Sequence, residues 1–466
     1  MVFRQNRKLR PCLCQFSPSG CNVRKGITNM ERRTFLKLAA LVPGLALAGC
    51  GGSKTLLSPK DPTMLSIWHV YGEQADSPMN RLLTEFNDTV GKEKGILLNV
   101  TNMTNSAAIG SQLQDAKADK PGALDLPDLF SAHPADASAL GIENLVDWND
   151  WFTAEDMAAY VPGFVQDGII EGKQVVFPVS KSTQLIFLNG SQYARFAADT
   201  GAQLSTLATW DGFFEMAGAY RQWSQGKPFC ALDYPLRLVE LNALEQGSGE
   251  LYKGSWYDLT NETFRASWME FARALVQGDI LISDLYSNTQ VMTGETLAGL
   301  GSSAAILYYN DFVTYPDNTT EPTDLLLAPL PHAAGTATPL MPQAGVGLCA
   351  FKTTDQKAEA AAVFLRWLTE QQRNLEFAAD TGYMPVSSAA FDAIADYPFE
   401  QQSYQRLYDV YNEMRIQNTP LSEPGIVGYH AKAKTLYDSL RQRQKDYPQR
   451  LAGGETLEAL AEETWQ

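Results

Sequence analysis

Met64-Leu65-Ser66-Ile67-Trp68-His69-Val70 is followed by Met79, Leu82, Leu83, Phe86 and Val90, and then by Gly95-Ile-Leu-Leu-Asn-Val-Thr101. The first run is short and mostly apolar, so it reads as a strand. The apolar positions after it recur at helical spacing. The third run is again strand-like. Ile109 to Ala118 is helical in pattern, and Asp128-Leu-Phe-Ser-Ala132 is a short strand. Strands and helices that alternate in this way predict a mainly parallel sheet covered by helices, an α/β fold.

The pattern continues toward the C-terminus. Gln174-Val-Val-Phe-Pro-Val179 and Gln184-Leu-Ile-Phe-Leu-Asn189 read as adjacent strands. Thr209 precedes Trp210-Asp211 as an N-cap, because its hydroxyl can accept from a free amide of the first turn. Phe264 to Gln277 is a helix that Gly278 ends. Ala304-Ala-Ile-Leu-Tyr-Tyr309 and Gly345 to Phe351 read as strands, Gln356 to Gln372 as an amphipathic helix, and the tail from Tyr404 as largely helical. There is no internal repeat and no low-complexity tract.

Upstream of this body lies Met30-Glu-Arg-Arg-Thr-Phe-Leu-Lys37, then the apolar run Leu38 to Ala48, then Gly49-Cys50. A basic segment, a brief apolar run and small residues before a cysteine make an export signal. The run is about half of the roughly 20 residues that a spanning helix needs. Residues 30–49 are therefore read as a signal peptide. Residues 1–29 have no periodicity and are read as lying upstream of the true start at Met30. Cys12, Cys14 and Cys21 lack a fourth ligand of suitable spacing for zinc. Residues 50–63, rich in Gly, Ser and Pro, read as a tether.

The net charge of −16 excludes a nucleic-acid partner and electrostatic adhesion to anionic lipid. A hydrophobic fraction of 45% describes an ordinary globular chain, long enough for two domains. After Cys50 only Cys230 and Cys349 remain, too few for a disulfide framework. The four histidines are scattered, so no metal site and no cofactor are expected.

Leu47-Ala-Gly-Cys50 resembles a bacterial lipobox, in which the cysteine is lipidated and the preceding peptide removed. Arg32-Arg33 with Thr34-Phe-Leu-Lys37 resembles a twin-arginine signal. The body resembles the extracytoplasmic solute-binding proteins of ABC importers, in the large group that takes up sugars and glycerol phosphate. The match is carried by Ile67-Trp-His69 with Leu82-Leu-Thr-Glu-Phe-Asn87, by Pro127-Asp-Leu-Phe130, and by Val176-Phe-Pro-Val-Ser-Lys-Ser182 running into Thr183 to Asn189. Thr209-Trp-Asp211, Ala360 to Thr369 and Thr381-Gly-Tyr-Met-Pro-Val386 complete it. The resemblance implies a two-lobed periplasmic-binding-protein-like fold (type II) with a hinge of crossing strands. One lobe would hold 64–183 plus 307–370, the other 184–306 plus 371–466, with ligand in the cleft between them.

A sugar cleft needs aromatic faces for the ring and planar polar groups for the hydroxyls. Trp68 and His69 follow the first strand, and Tyr309, Asn310 and Asp311 end a later one, where α/β ligands sit. Trp68 serves equally as a core residue. Gly345 allows close backbone approach. The resemblance adds His133 on the cleft side, Ser182 in the crossover, Tyr234 and Arg237 where glycerol-phosphate binders carry tryptophans, and Tyr383 at a ligand-contacting tyrosine. Ser182 could instead bond the hinge backbone, and Arg237 could pair with Asp233. The glycerol-phosphate group carries an arginine in a Gly-Leu-Arg-Leu-Gly stretch. Here Pro424-Gly-Ile-Val-Gly428 places Ile426 there, which points away from phosphate.

The expected function is a lipid-anchored, monomeric receptor that delivers a mono- or oligosaccharide to the transmembrane permease of an ABC importer. A glycerol-3-phosphate or glycerophosphodiester ligand is the alternative. A secreted glycosidase would need two facing carboxylates, and no motif fixes such a pair. No Gly-x-Ser-x-Gly elbow, His-Glu-x-x-His or phosphate loop is present, so no catalytic residues are assigned.

Overall fold

The strands of the two main sheets and of the crossing pair are, in chain order, β1 (Thr63–His69), β2 (Ile96–Asn102), β3 (Leu129–Ala132), β4 (Gln184–Asn189), β5 (Cys230–Leu232), β6 (Ile280–Ile282), β7 (Ala298–Ser302), β8 (Leu325–Ala328), β9 (Leu340–Pro342), β10 (Gly347–Ala350) and β11 (Thr419–Leu421). The computed structural model describes residues 55–71, 77–103, 106–283 and 286–465. The export segment, the twin-arginine pair and Cys50 lie outside the described residues.

A first sheet has the order β10-β3-β1-β2. β1 runs parallel to both β2 and β3, and β10 is antiparallel to β3. A second sheet has the order β6-β5-β7-β4-β8. β5 is parallel to β6 and β7, and β4 is antiparallel to β7 and β8. Helices cover both, among them α1 (Pro78–Phe86), α2 (Pro134–Ala139), α3 (Trp210–Trp223), α4 (Pro235–Glu245), α5 (Glu262–Gln277), α6 (Asp355–Leu368), α7 (Gln371–Thr381), α8 (Gln402–Gln417) and α9 (Tyr429–Arg443). Thr209 caps α3 by accepting from the Gly212 amide at 3.2 Å. Gly278 ends α5 in the left-handed conformation, which costs a glycine little.

Each sheet has its own core. Ile67, Phe86, Phe177, Leu348 and Phe364 belong to the first, and Trp210, Phe229, Leu300 and Trp268 to the second. β4 is buried along its whole length and serves both. Leu185 and Phe187 face the first core, while Ile186 and Leu188 face the second. That two-sided burial explains why Leu185-Ile-Phe-Leu188 is apolar without alternation.

The chain crosses between the cores around 179–184, 329–346 and 418–428. At the first crossing Ser182 and Ala344 exchange backbone hydrogen bonds of 2.9 Å in both directions. Lys181 pairs with Asp167, both side chains almost fully buried. β9 pairs in parallel with β11, binding the other two crossings together.

Several expectations change. Ser303–Tyr308 is a 3-10 helix, and the strand lies just before it at β7. The stretch β8, expected with the first lobe, pairs with β4 of the second sheet. Residues of α7 and α8, expected with the second lobe, bury Leu375, Phe377, Leu407 and Met414 in the first core. The last crossing therefore falls near 418–428 and not at 370. Residues 55–62, expected as free tether, are docked: Thr55 Oγ1 and the Leu56 amide bind Glu359 at 2.6 and 2.7 Å, and Leu57 packs on the first core. Cys230 and Cys349 are buried free thiols in different sheets. No helix among the described residues is long and apolar enough to cross a membrane.

Candidate functional site

The C-terminal ends of β1, β3 and β5 deliver polar and aromatic side chains to the region between the cores, as parallel strands do in α/β proteins. After β1, the buried His69 ring accepts from the Tyr71 amide at Nδ1 (3.2 Å), so its Nε2 donates to Asn80 Oδ1 at 3.0 Å. Burial pushes this imidazole down to about 4, and it stays neutral near pH 7. It thus positions Tyr71. The Tyr71 hydroxyl meets Ser180 Oγ at 2.9 Å, and its ring lies edge-on to Tyr383, centroids 5.7 Å apart. Tyr383 follows the left-handed Gly382 that ends α7. Burial raises its phenol well above the usual range, and Tyr71, Tyr308 and Tyr234 lie close enough to add repulsion.

Tyr234 comes from the second core, directly after β5, and is 39% exposed. Burial and the neighbouring Asp233, Tyr286, Glu423 and Tyr437 all raise its phenol. Tyr308, at the end of the 3-10 turn after β7, is 43% exposed. Asp233 accepts from the Ser287 amide at 2.7 Å and from its hydroxyl at 3.1 Å. Burial nevertheless pushes its carboxyl up to about 7. Tyrosines of both cores thus meet beside a desolvated carboxyl group.

A second cluster adjoins them. His133, the residue before α2, faces Glu423, which follows β11, with Nδ1 to Oε2 at 2.9 Å. His430, on the first turn of α9, approaches the same oxygen with Nε2 at 3.8 Å. The two rings are 4.9 Å apart at their centroids. Burial disfavours charge at Glu423, yet the two histidines hold it well below the usual carboxylate range. Burial likewise opposes charge on His430, and the Asp136 and Glu423 carboxylates raise it to about 10. Nothing in the local sequence pairs His133 with His430, which are far apart along the chain. A long-range crossing joins them and assembles donors that no local spacing reveals.

The other residues read from sequence are placed as follows. Trp68 is 3% exposed and packs with Ile109, Leu113, Phe130 and Val176, on the face of β1 opposite Ile67. It is a core residue. Ser182 is buried in the crossing, and its backbone makes the bridge to Ala344. Arg237 is buried too. It pairs with Glu240 at 2.9 Å and donates to the carbonyls of Leu421 and Ser422 at 2.6 and 2.7 Å, tying α4 to the last crossing. It does not pair with Asp233. Tyr309 stacks on Phe187 (4.6 Å, 18°) and lies near Asp233. Asn310 and Asp311 are exposed: the Asn310 amide meets Met292 Sδ, and the Asp311 carbonyl accepts from Thr323 at 2.9 Å. Gly345 has φ +96°, and a Cβ there would stand 3.3 Å from the Ser182 amide.

Sequence reading missed Tyr71, Asp233, Tyr308, Glu423 and His430. Asp233 and Tyr308 each adjoin a residue that was named.

The model of the bacterial extracellular solute-binding protein family matches residues 82–401. The chain belongs to this family. No curated protein matches it by sequence. Among solved structures, the cyclic alpha-maltosyl-1,6-maltose binding protein from Arthrobacter globiformis is 18% identical with a TM-score of 0.61, over 87% of this chain and 97% of that one. UgpB from Mycobacterium tuberculosis, solved with glycerophosphocholine, is 14% identical with a TM-score of 0.63, over 87% and 100%. The ABC substrate-binding protein Lmo0181 from Listeria monocytogenes, solved with cycloalternan, is 14% identical with a TM-score of 0.64, over 87% and 97%. These likenesses establish the two-lobed binding-protein fold, so the two cores are its lobes. Membership makes the chain an extracytoplasmic solute-binding protein.

Proposed function

We propose that this family member is the receptor of an ABC importer and that it captures a neutral carbohydrate between its lobes. The observation that carries the reading is the meeting of Tyr71 and Tyr383 from the first core with Tyr234 from the second and Tyr308 from the turn after β7. Aromatic faces cover the apolar faces of a sugar ring, and a carboxyl group such as Asp233 takes hydroxyls. Ligand held by both lobes favours the closed state that a permease recognises. Binding is the whole task, and no turnover is part of it.

The likeness to UgpB supports a second reading, a glycerophosphodiester. Phosphate calls for a cation. Here Arg237 is engaged by Glu240 and two carbonyls, Lys181 by Asp167, and Ile426 packs on the second core. Glu423 and Asp233 add acidic groups nearby, which favours a neutral ligand. The receptor is held at the membrane through lipidated Cys50.

The test is a thermal-shift titration of the full chain with malto-oligosaccharides, cyclic glucans and glycerophosphocholine. An oligosaccharide is expected to raise Tm without appearance of hydrolysis products. Tyr234→Ala and Tyr383→Ala should each abolish the rise. Turnover would sink the receptor reading, and a shift with glycerophosphocholine alone would select the second ligand class.

A further inference from the structure

We propose that His133, Glu423 and His430 form a binding site for one divalent transition-metal ion of the zinc class, and that the ion ties the two lobes together. One donor atom from each residue lies within 4.8 Å of the other two. Glu423 Oε2 is 2.9 Å from His133 Nδ1 and 3.8 Å from His430 Nε2. A tetrahedral zinc ion with bonds of ~2.0–2.1 Å keeps its donors ~3.4 Å apart, between those two spacings. Two imidazoles and a carboxylate, with a fourth position open, suit zinc, cobalt or nickel. Magnesium and calcium prefer all-oxygen shells.

The surroundings fit the same use. With Nε2 of His430 on an ion, its Nδ1 carries a hydrogen, and that nitrogen faces Asp136 Oδ1 at 3.9 Å. A carboxylate behind a ligating histidine fixes the ring and strengthens it as a donor. Each ligand is also held by its element. His133 joins β3 to α2, His430 opens α9, and Arg237 grips the carbonyls just before Glu423. The side chains of His133, Glu423 and His430 are 15%, 23% and 36% exposed, sheltered yet reachable by an ion from solvent.

The site spans the two lobes. β3 belongs to the first sheet, whereas α9 buries Tyr429, Ala433 and Leu440 in the second core. A bound ion therefore resists opening and favours the arrangement in which the tyrosines of both lobes face one ligand. Metal binding itself does not depend on the identity of that ligand.

The full chain is stripped with EDTA, dialysed against zinc or magnesium, and analysed for bound metal and Tm. About one zinc per chain should be retained that is lost in His430→Gln, and zinc but not magnesium should raise Tm. The variant comparison separates this site from the N-terminal cysteines. Asp136→Asn leaves all three donors in place and should weaken zinc binding about 10–100-fold. Equal zinc content in wild type and His430→Gln overturns the proposal. Should His430→Gln fail to fold, an unchanged zinc affinity in Asp136→Asn overturns it instead.

Discussion

Asp233 shows how a single carboxyl group couples the site to stability. Burial raises it to about 7 against the two hydrogen bonds from Ser287. An unfolded aspartate ionises near 3.9. Between pH about 4 and about 7 the folded state therefore holds a proton that the unfolded state has lost, and stability falls as pH rises. His69 works in the opposite sense. Burial lowers it to about 4, so stability is lost as pH falls from about 6.5 toward 4. Comparing Asp233→Asn with wild type isolates the first effect. The Tm of the variant minus that of wild type should climb from pH 4 to pH 7 and then level off; a constant difference would refute the assignment. Tyr234 and Tyr383 are legible in sequence because motifs flank them. Asp233 adjoins one of them, but its burial and its bond to Ser287, far along the chain, come from the tertiary packing.

Among the elements, the end of α7 sets the position of Tyr383. Gly382 has φ +71°, and a Cβ there would stand 2.3 Å from Ile306 Cγ2. Gly201 has nearly the same angle, φ +76°, with open space around it. Gly201→Ala is expected to cost ~1–2 kcal/mol for the left-handed backbone alone. Gly382→Ala should add about 1–3 kcal/mol of overpacking and should weaken ligand binding, which urea unfolding and titration would measure. Equal losses in the two variants would show that Ile306 yields freely. Most helices and strands are legible because period and caps are local signals. Ser303–Tyr308 is not: Ala304-Ala-Ile-Leu has strand-like composition, yet Ile306 packs into the first core from a tight 3-10 turn.

At the scale of the molecule, the proposed anchor at Cys50 and the two lobes have separate roles. No helix among the described residues is long and apolar enough to cross a membrane, and the proposed anchor is the cysteine. Cys50→Ser is expected to move the protein from the membrane fraction to the soluble one, and retention would refute the lipid anchor. Thr55 and Leu56 dock on α6 through Glu359, so the described chain is held to the first lobe from its first residue. By itself the sequence determined the alternation of strand and helix, the acidic balance of the chain and the family, because each is written in composition, in neighbouring residues or in ordered motifs. Only the tertiary structure decided where the chain crosses between lobes, that Trp68 and Arg237 are buried supports, and that His133 meets Glu423 and His430. Most of those contacts join residues tens to hundreds of positions apart, fixed by which buried faces fit one another, and no local pattern encodes them.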